Sequence, residues 1–188
     1  MTDRTLSGRF GTKRITVCAL CTTLMVLCSW ISIPLIIPFT LQTFAVCLIA
    51  SLFGYGTAVM SLVLYILLGI FGLPVFSGFR AGVSVLAGPT GGYILGFFAT
   101  ALCAGYFPER YGRKGGVMIL SMSAGVILCY AFGTAWFVWV YMRSAAPVSF
   151  ASALSMCVLP YIPADAAKIV LAALLAKRIY PVIRWRMI

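Results

Sequence analysis

Hydrophobic and polar positions along this chain fall into long blocks rather than the short alternations of a water-soluble fold. From Ile15 to Phe79 there is no Asp, Glu, Lys or Arg, and further uncharged stretches run Ala81–Pro108, Gly115–Met142 and Ser144–Ala164. A helix needs about 20 mainly apolar residues to cross a bilayer, and each stretch is long enough. The pattern predicts a first span over Ile15–Ile33, ended by Pro34 and Pro38, and a short second one over Leu41–Phe53. The turn Gly54-Tyr55-Gly56 leads to a third over Thr57–Phe71. A Gly/Pro-rich loop, Gly72–Gly91, precedes a fourth span at Gly92–Phe107, and a basic loop separates that from a fifth at Gly116–Tyr141. The connection Met142–Leu159 has room for a short helix of its own. Pro160 and Pro163 favour a fresh helix start, because proline suits the first turn and not the interior, so a sixth span runs to Tyr180. The expected fold is all-α, a polytopic membrane protein with a bundle of six transmembrane helices. The chain reads as a single membrane domain over 1–188, with a cytoplasmic arm at 1–14, the bundle at 15–180 and a cytoplasmic tail at 181–188.

Composition and charge sharpen this picture. Hydrophobic residues make up 63% of the chain and charged ones 9%, against roughly 25% charged in soluble domains. The net charge of +11 does not imply nucleic acid, since the basic residues cluster at both ends and in one central loop. Placing Arg4, Arg9, Lys13, Arg14, Arg110, Arg113, Lys114, Lys177, Arg178, Arg184 and Arg186 on the cytoplasmic side leaves only Arg80 and Arg143 outside, with Lys168 in the membrane. Basic loops stay in the cytoplasm. Two basic termini therefore demand an even number of crossings, and six satisfies it: a multi-pass cell-membrane protein with both termini cytoplasmic. The first apolar block reads as a span and not as a cleaved signal, being long and without a small-residue cleavage site. The seven cysteines lie inside apolar segments, and Cys18-Ala-Leu-Cys21 has no second pair and no histidine to complete a metal site. They read as small packing residues. The absence of Gly-x-x-x-x-Gly-Lys-Ser/Thr removes that route to ATP hydrolysis.

Three features go beyond membrane insertion. In the fourth span Gly92, Gly96, Thr100 and Ala104 recur at four-residue spacing, which places small residues on one face and permits close helix packing in lipid. In the sixth, Asp165 and Lys168 share a face three residues apart. Each charge costs roughly 2.5–3.5 kcal/mol at mid-membrane, so such residues usually mark a site, although a self-contained ion pair would also explain them. The Gly72–Gly91 loop combines flexible backbone, aromatics and one cation, Arg80. It is either a lid over a ligand or an ordinary connection.

Four motifs occur in one order: Ile-Pro-Phe-Thr-Leu-Gln-Thr (37–43), Tyr-x-x-x-Gly-x-x-Gly-Leu-Pro-Val-Phe (65–76), Gly-Pro-Thr-Gly-Gly-Tyr (88–93) and Pro-x-Asp-x-x-Lys (163–168). With these the chain, over about residues 15–180, resembles the BioY family, the biotin-binding membrane subunits (S components) of energy-coupling-factor (ECF) transporters. The resemblance implies a non-enzymatic protein with no cofactor that captures biotin as its transported ligand. Its implied partners are a transmembrane coupling subunit and ATPase subunits, besides membrane lipid. Relatives dock the coupling subunit through Ala-x-x-x-Ala on the first helix; here the nearest match is Ala19-x-x-x-Thr23. The expected substrate-binding residues are Gln42, Phe76, Arg80, Thr90, Tyr93, Asp165 and Lys168, with Phe79 as a further cover for the ring. Asp165 would accept from the ureido N–H groups, and Lys168 or Arg80 would pair with the tail carboxylate. Asp165→Asn is then expected to weaken binding more than folding. Rival readings are an S component for another small anionic vitamin, a lipid-acting membrane enzyme and a purely structural subunit.

Overall fold

The computed structural model describes residues 6–35, 37–142 and 149–187, with side chains between residues 11 and 182 of those ranges. Arg4 and Arg143, two of the residues counted in the charge argument, lie outside them, as do the side chains of Arg9, Arg184 and Arg186.

Eight α-helices carry the described chain: α1 (Leu6–Trp30), α2 (Gln42–Phe53), α3 (Tyr55–Ile70), α4 (Val83–Ala87), α5 (Gly91–Tyr111), α6 (Gly115–Met142), α7 (Phe150–Cys157) and α8 (Ile162–Met187). Three of them, α1, α5 and α6, are long and apolar enough to cross a membrane. The pair α7 and α8, bent by 52°, adds a fourth if taken as one span. At 12 and 16 residues, α2 and α3 are roughly 18 and 24 Å long, shorter than the roughly 30 Å hydrocarbon core. The expected shortness of the second span is seen directly.

Differences from the expected boundaries have local causes. A small antiparallel hairpin, β1 (Ser32–Ile33) with β2 (Phe39–Thr40), follows α1 and pairs Ser32 with Thr40. The prolines at 34 and 38 forbid helix here, and pairing satisfies backbone groups that lipid cannot. The Gly72–Gly91 loop contains a 3₁₀ turn at Ser77–Phe79 and the short α4. The fourth span does not stop before Pro108, which is buried inside α5. Pro108 has no N–H for the carbonyl of Ala104, one turn earlier, but Ser51 Oγ donates to that carbonyl at 3.3 Å. The helix thus continues to Gly112, whose φ of 88° ends it. At the chain's ends α1 begins within the expected arm, and α8 runs through Pro181 to Met187, at the cost of one helical hydrogen bond.

The seam between α5 and α6 is the most extensive helix contact, and it uses the small-residue face. A Cβ at Gly96 would stand 2.8 Å from Cys129 Sγ, and one at Gly125 only 2.7 Å from Thr100 Cα. Thr100 Oγ1 donates to the Gly125 carbonyl at 3.1 Å, so backbone approach and hydrogen bond are made together. At the other end of the bundle from the hairpin, Arg113 ties three elements. Its Nε donates to the Ser51 carbonyl at 2.8 Å, and its guanidinium lies 3.8 Å from the centre of the Tyr180 ring.

Candidate functional site

The site forms where the hairpin, the loop after α3 and the first turn of α8 meet. Asp165 and Lys168 both point inward and are 5% and 7% exposed. Buried charges survive only when paired and hydrogen-bonded, and these are. Lys168 Nζ donates to Asp165 Oδ1 at 2.7 Å and to the Thr40 carbonyl at 2.7 Å. It also sits 3.7 Å from the centre of the Phe39 ring. Tyr130, from α6, donates its hydroxyl to Asp165 Oδ2, and Tyr161 donates to the Ile37 carbonyl. The hairpin is thereby tied to α8 through both backbone and ring.

Two small adjoining lobes, of about 60 and 50 Å³, open beside this network. Ile37, Pro38, Thr40, Tyr93 and Phe97 line both, so the lobes form one elongated cavity. Asp165, Lys168, Tyr130 and Phe39 belong to the first lobe, while Gln42, Phe76, Arg80 and Thr90 belong to the second. All seven residues singled out from the sequence therefore line one cavity. Its first lobe carries a compensated ion pair and its second a cation, a net charge of +1.

Each side chain in the second lobe is held by its own neighbours. Gln42, at the start of α2, donates to Tyr65 Oη at 2.8 Å and accepts from Thr40 Oγ1 at 3.2 Å. Phe76 is buried edge-on against Tyr65, and its ring occupies the place that a Cβ on Gly69 would need, 2.1 Å away. Tyr93 Oη and Thr134 Oγ1 share a hydrogen bond of 3.0 Å, and Thr90 Oγ1 donates to the Val85 carbonyl at 3.4 Å. Arg80 is exposed, with Nε donating to the Ser77 carbonyl at 3.1 Å. Phe79, expected as a cover, lines neither lobe; it packs on Trp30 with ring centres 5.0 Å apart. Its φ of 57° within the tight turn at Ser77–Phe79 directs it away.

Sequence reasoning missed Tyr130, Phe39, Thr40 and Tyr161. Nothing in the sequence couples position 130 to 165, and a tyrosine in an aromatic-rich helix has an ordinary explanation at the membrane interface. Thr40 acts through its carbonyl, which no residue type announces. For Phe39 and Tyr161 a signal existed, since each follows a proline directly, and Phe39 lies inside the 37–43 motif while Tyr161 lies two residues before the 163–168 motif.

An apolar cavity with a few fixed polar groups at the end of a helical membrane bundle defines a binding protein for a small polar molecule with apolar parts. The comparisons with known proteins narrow this class. The BioY family model matches residues 1–185, and the chain belongs to the BioY family. It is 38% identical over 159 residues to the biotin transporter BioY of Thermotoga maritima, covering 84% of this chain and 90% of that protein. With the biotin transporter BioY of Rhizobium etli it shares 32% identity over 158 residues, 78% of this chain and 81% of the relative. The solved S component for biotin from an ECF-type ABC transporter superposes with a TM-score of 0.79 over 95% of this chain and 94% of that one, at 24% identity. It shares the fold.

Proposed function

We propose that this chain is a biotin-binding membrane subunit that mediates biotin uptake. The observation that carries the reading is the cavity with an Asp165–Lys168 pair in one lobe and Arg80 in the other. Biotin has a ureido ring with two N–H donors and one carbonyl, an apolar thioether ring and a tail carboxylate. Asp165 accepts from the ureido N–H groups and Lys168 donates to its carbonyl, both as charge-assisted bonds. Asp165 and Thr40 take two of the three Lys168 donors and the ureido carbonyl takes the third, so Arg80 is the partner for the tail. Phe39, Phe76, Tyr93 and Phe97 flank the apolar middle. A net charge of +1 neutralises the monoanion. The curated relatives are named as transporters, which agrees with a non-enzymatic role. Uptake of labelled biotin by cells lacking their own uptake, with and without this chain, tests the reading; no gain in uptake beside the energising subunits contradicts it.

In the membrane the proposal takes six crossings: α1, α2, α3, α5, α6 and the bent α7–α8 pair, with α2 and α3 as short spans completed by their flanking loops. Lys13, Arg14, Arg110, Arg113, Lys114, Lys177 and Arg178 then lie at the cytoplasmic end and the cavity toward the outside. Reporter fusions at both termini are expected to report the cytoplasm, and opposite locations for the two ends would rule out six crossings. Energising falls to separate coupling and ATPase subunits. The exposed face of α1 around Ala19 and Thr23 is available for docking, and Thr23 keeps its hydroxyl satisfied on the Ala19 carbonyl at 2.9 Å.

The loop after α3 acts as a lid. It is held at Gly82, whose N–H donates to the Gly69 carbonyl at 2.8 Å, and at Pro74, whose carbonyl accepts from Trp30 Nε1 at 2.8 Å, while Arg80, just after the turn at Ser77–Phe79, is exposed. Biotin is expected to slow hydrogen exchange over residues 74–91, as in other ordering transitions, and Arg80→Ala to quicken biotin release. Equal exchange with and without biotin, together with unchanged release from the variant, would make the loop a plain connection.

A further inference from the structure

At the basic end of the bundle, far along α1 from the ligand cavity, two grooves join into one. The first, with about 1160 Å³ of open space, lies between Lys13 and Arg14 on α1 and Thr57 near the start of α3. The second, about 440 Å³, runs between Leu20 and Leu24 of α1 and Leu48 and Leu52 of α2. Val17 and Phe53 line both, so the groove is continuous. Its character changes along its length, from a cationic mouth with threonine hydroxyls to an apolar floor. From Val17 to Leu24 the floor follows α1 for roughly 10 Å toward the membrane centre. Among the described side chains that line the mouth, the charged ones are Lys13 and Arg14, both cations, while Glu109 sits nearby over Gly54.

We infer that this groove holds one anionic phospholipid, its phosphate at Lys13 and Arg14 and one acyl chain along the floor between α1 and α2. Charge complementarity selects an anionic headgroup over a zwitterionic one. The polarity gradient selects a membrane amphiphile over a soluble anion, because a free phosphate makes no use of the apolar half. The mouth stands at the membrane boundary of α1, where basic side chains meet headgroups. The inference is independent of the identity of the ligand in the cavity.

Native mass spectrometry of the full chain in mild detergent, with dioleoyl phosphatidylglycerol or dioleoyl phosphatidylcholine added at equal concentration, tests it. One phosphatidylglycerol per chain is expected to be retained roughly tenfold more tightly, and Lys13→Gln/Arg14→Gln to reduce that preference to about twofold or less. Dihexanoyl phosphatidylglycerol, with the same headgroup and short chains, should bind more weakly than the dioleoyl lipid, and excess inorganic phosphate should not displace it. Unchanged biotin binding by the double variant serves as the check on its fold. Equal retention of the two dioleoyl lipids would overturn the inference, as would a preference that survives in a folded double variant. Displacement by inorganic phosphate, or no advantage of long chains, would reduce the groove to a simple anion site and overturn it equally.

Discussion

Asp165→Asn is expected to cost the chain its biotin binding and a large part of its stability together. The carboxylate is the shared acceptor of Lys168 and Tyr130, and in the proposed complex it also meets the ureido group. Truncating one partner of a buried charged hydrogen bond costs roughly 2–5 kcal/mol of affinity, about 30-fold to several thousandfold. Breaking a buried ion pair also costs roughly 3–5 kcal/mol of folding, because Lys168 is left without compensation. From sequence alone binding was expected to suffer more than folding; the ion pair in the structure puts both at risk. The double variant Asp165→Asn/Lys168→Gln separates them. With both charges gone no uncompensated ion remains, so much of the stability should return while binding stays lost. Thermal unfolding and biotin titration on both variants measure this, and a double variant that binds like the parent would remove the pair from the site.

Gly125→Leu should produce a large effect at a position away from the cavity. Even a bare Cβ at this position would lie 2.7 Å from Thr100 Cα and 3.2 Å from Cys103 Cβ, and a helix backbone cannot retreat as a flexible side chain can. Overpacking costs roughly 1–3 kcal/mol and occasionally more. The α5–α6 seam also sets Tyr93 against Thr134 and aims Tyr130 at Asp165, so prying it open should weaken biotin binding as well. Leu120→Ala, on the exposed face of α6, provides the contrast and should change stability by no more than about 0.5 kcal/mol. Tryptophan-monitored unfolding of both variants decides the point; equal stabilities would mean that the seam is looser than its geometry.

Much of the architecture is legible in the sequence because lipid imposes severe rules. Charge-free blocks identify helices, and proline or glycine ends most of them, as at Pro34, Gly54 and Gly112. What escaped is the irregular backbone. The 32–40 hairpin is too short for any periodicity to reveal, yet it supplies Phe39 and the Thr40 carbonyl that hold Lys168. Pro108 reads as a stop because the compensating donor, Ser51, stands 57 positions earlier in the chain. In the cavity, charge in an apolar helix exposed Asp165 and Lys168 without any structure. The uncharged residues Gln42, Thr90 and Tyr93 came from the family resemblance, and all of them line the lobes. Tyr130 carries no such signal, since only the crossing of α6 and α8 brings it to Asp165.

The central claim, that the chain itself holds the biotin site, is tested most directly by calorimetric titration of biotin into the purified chain without partner subunits or ATP. Saturable binding of one biotin per chain is expected, abolished in Asp165→Asn/Lys168→Gln and not displaced by an excess of other anionic vitamins. An absence of binding by the folded chain, or equal competition by an unrelated anionic vitamin, would contradict it.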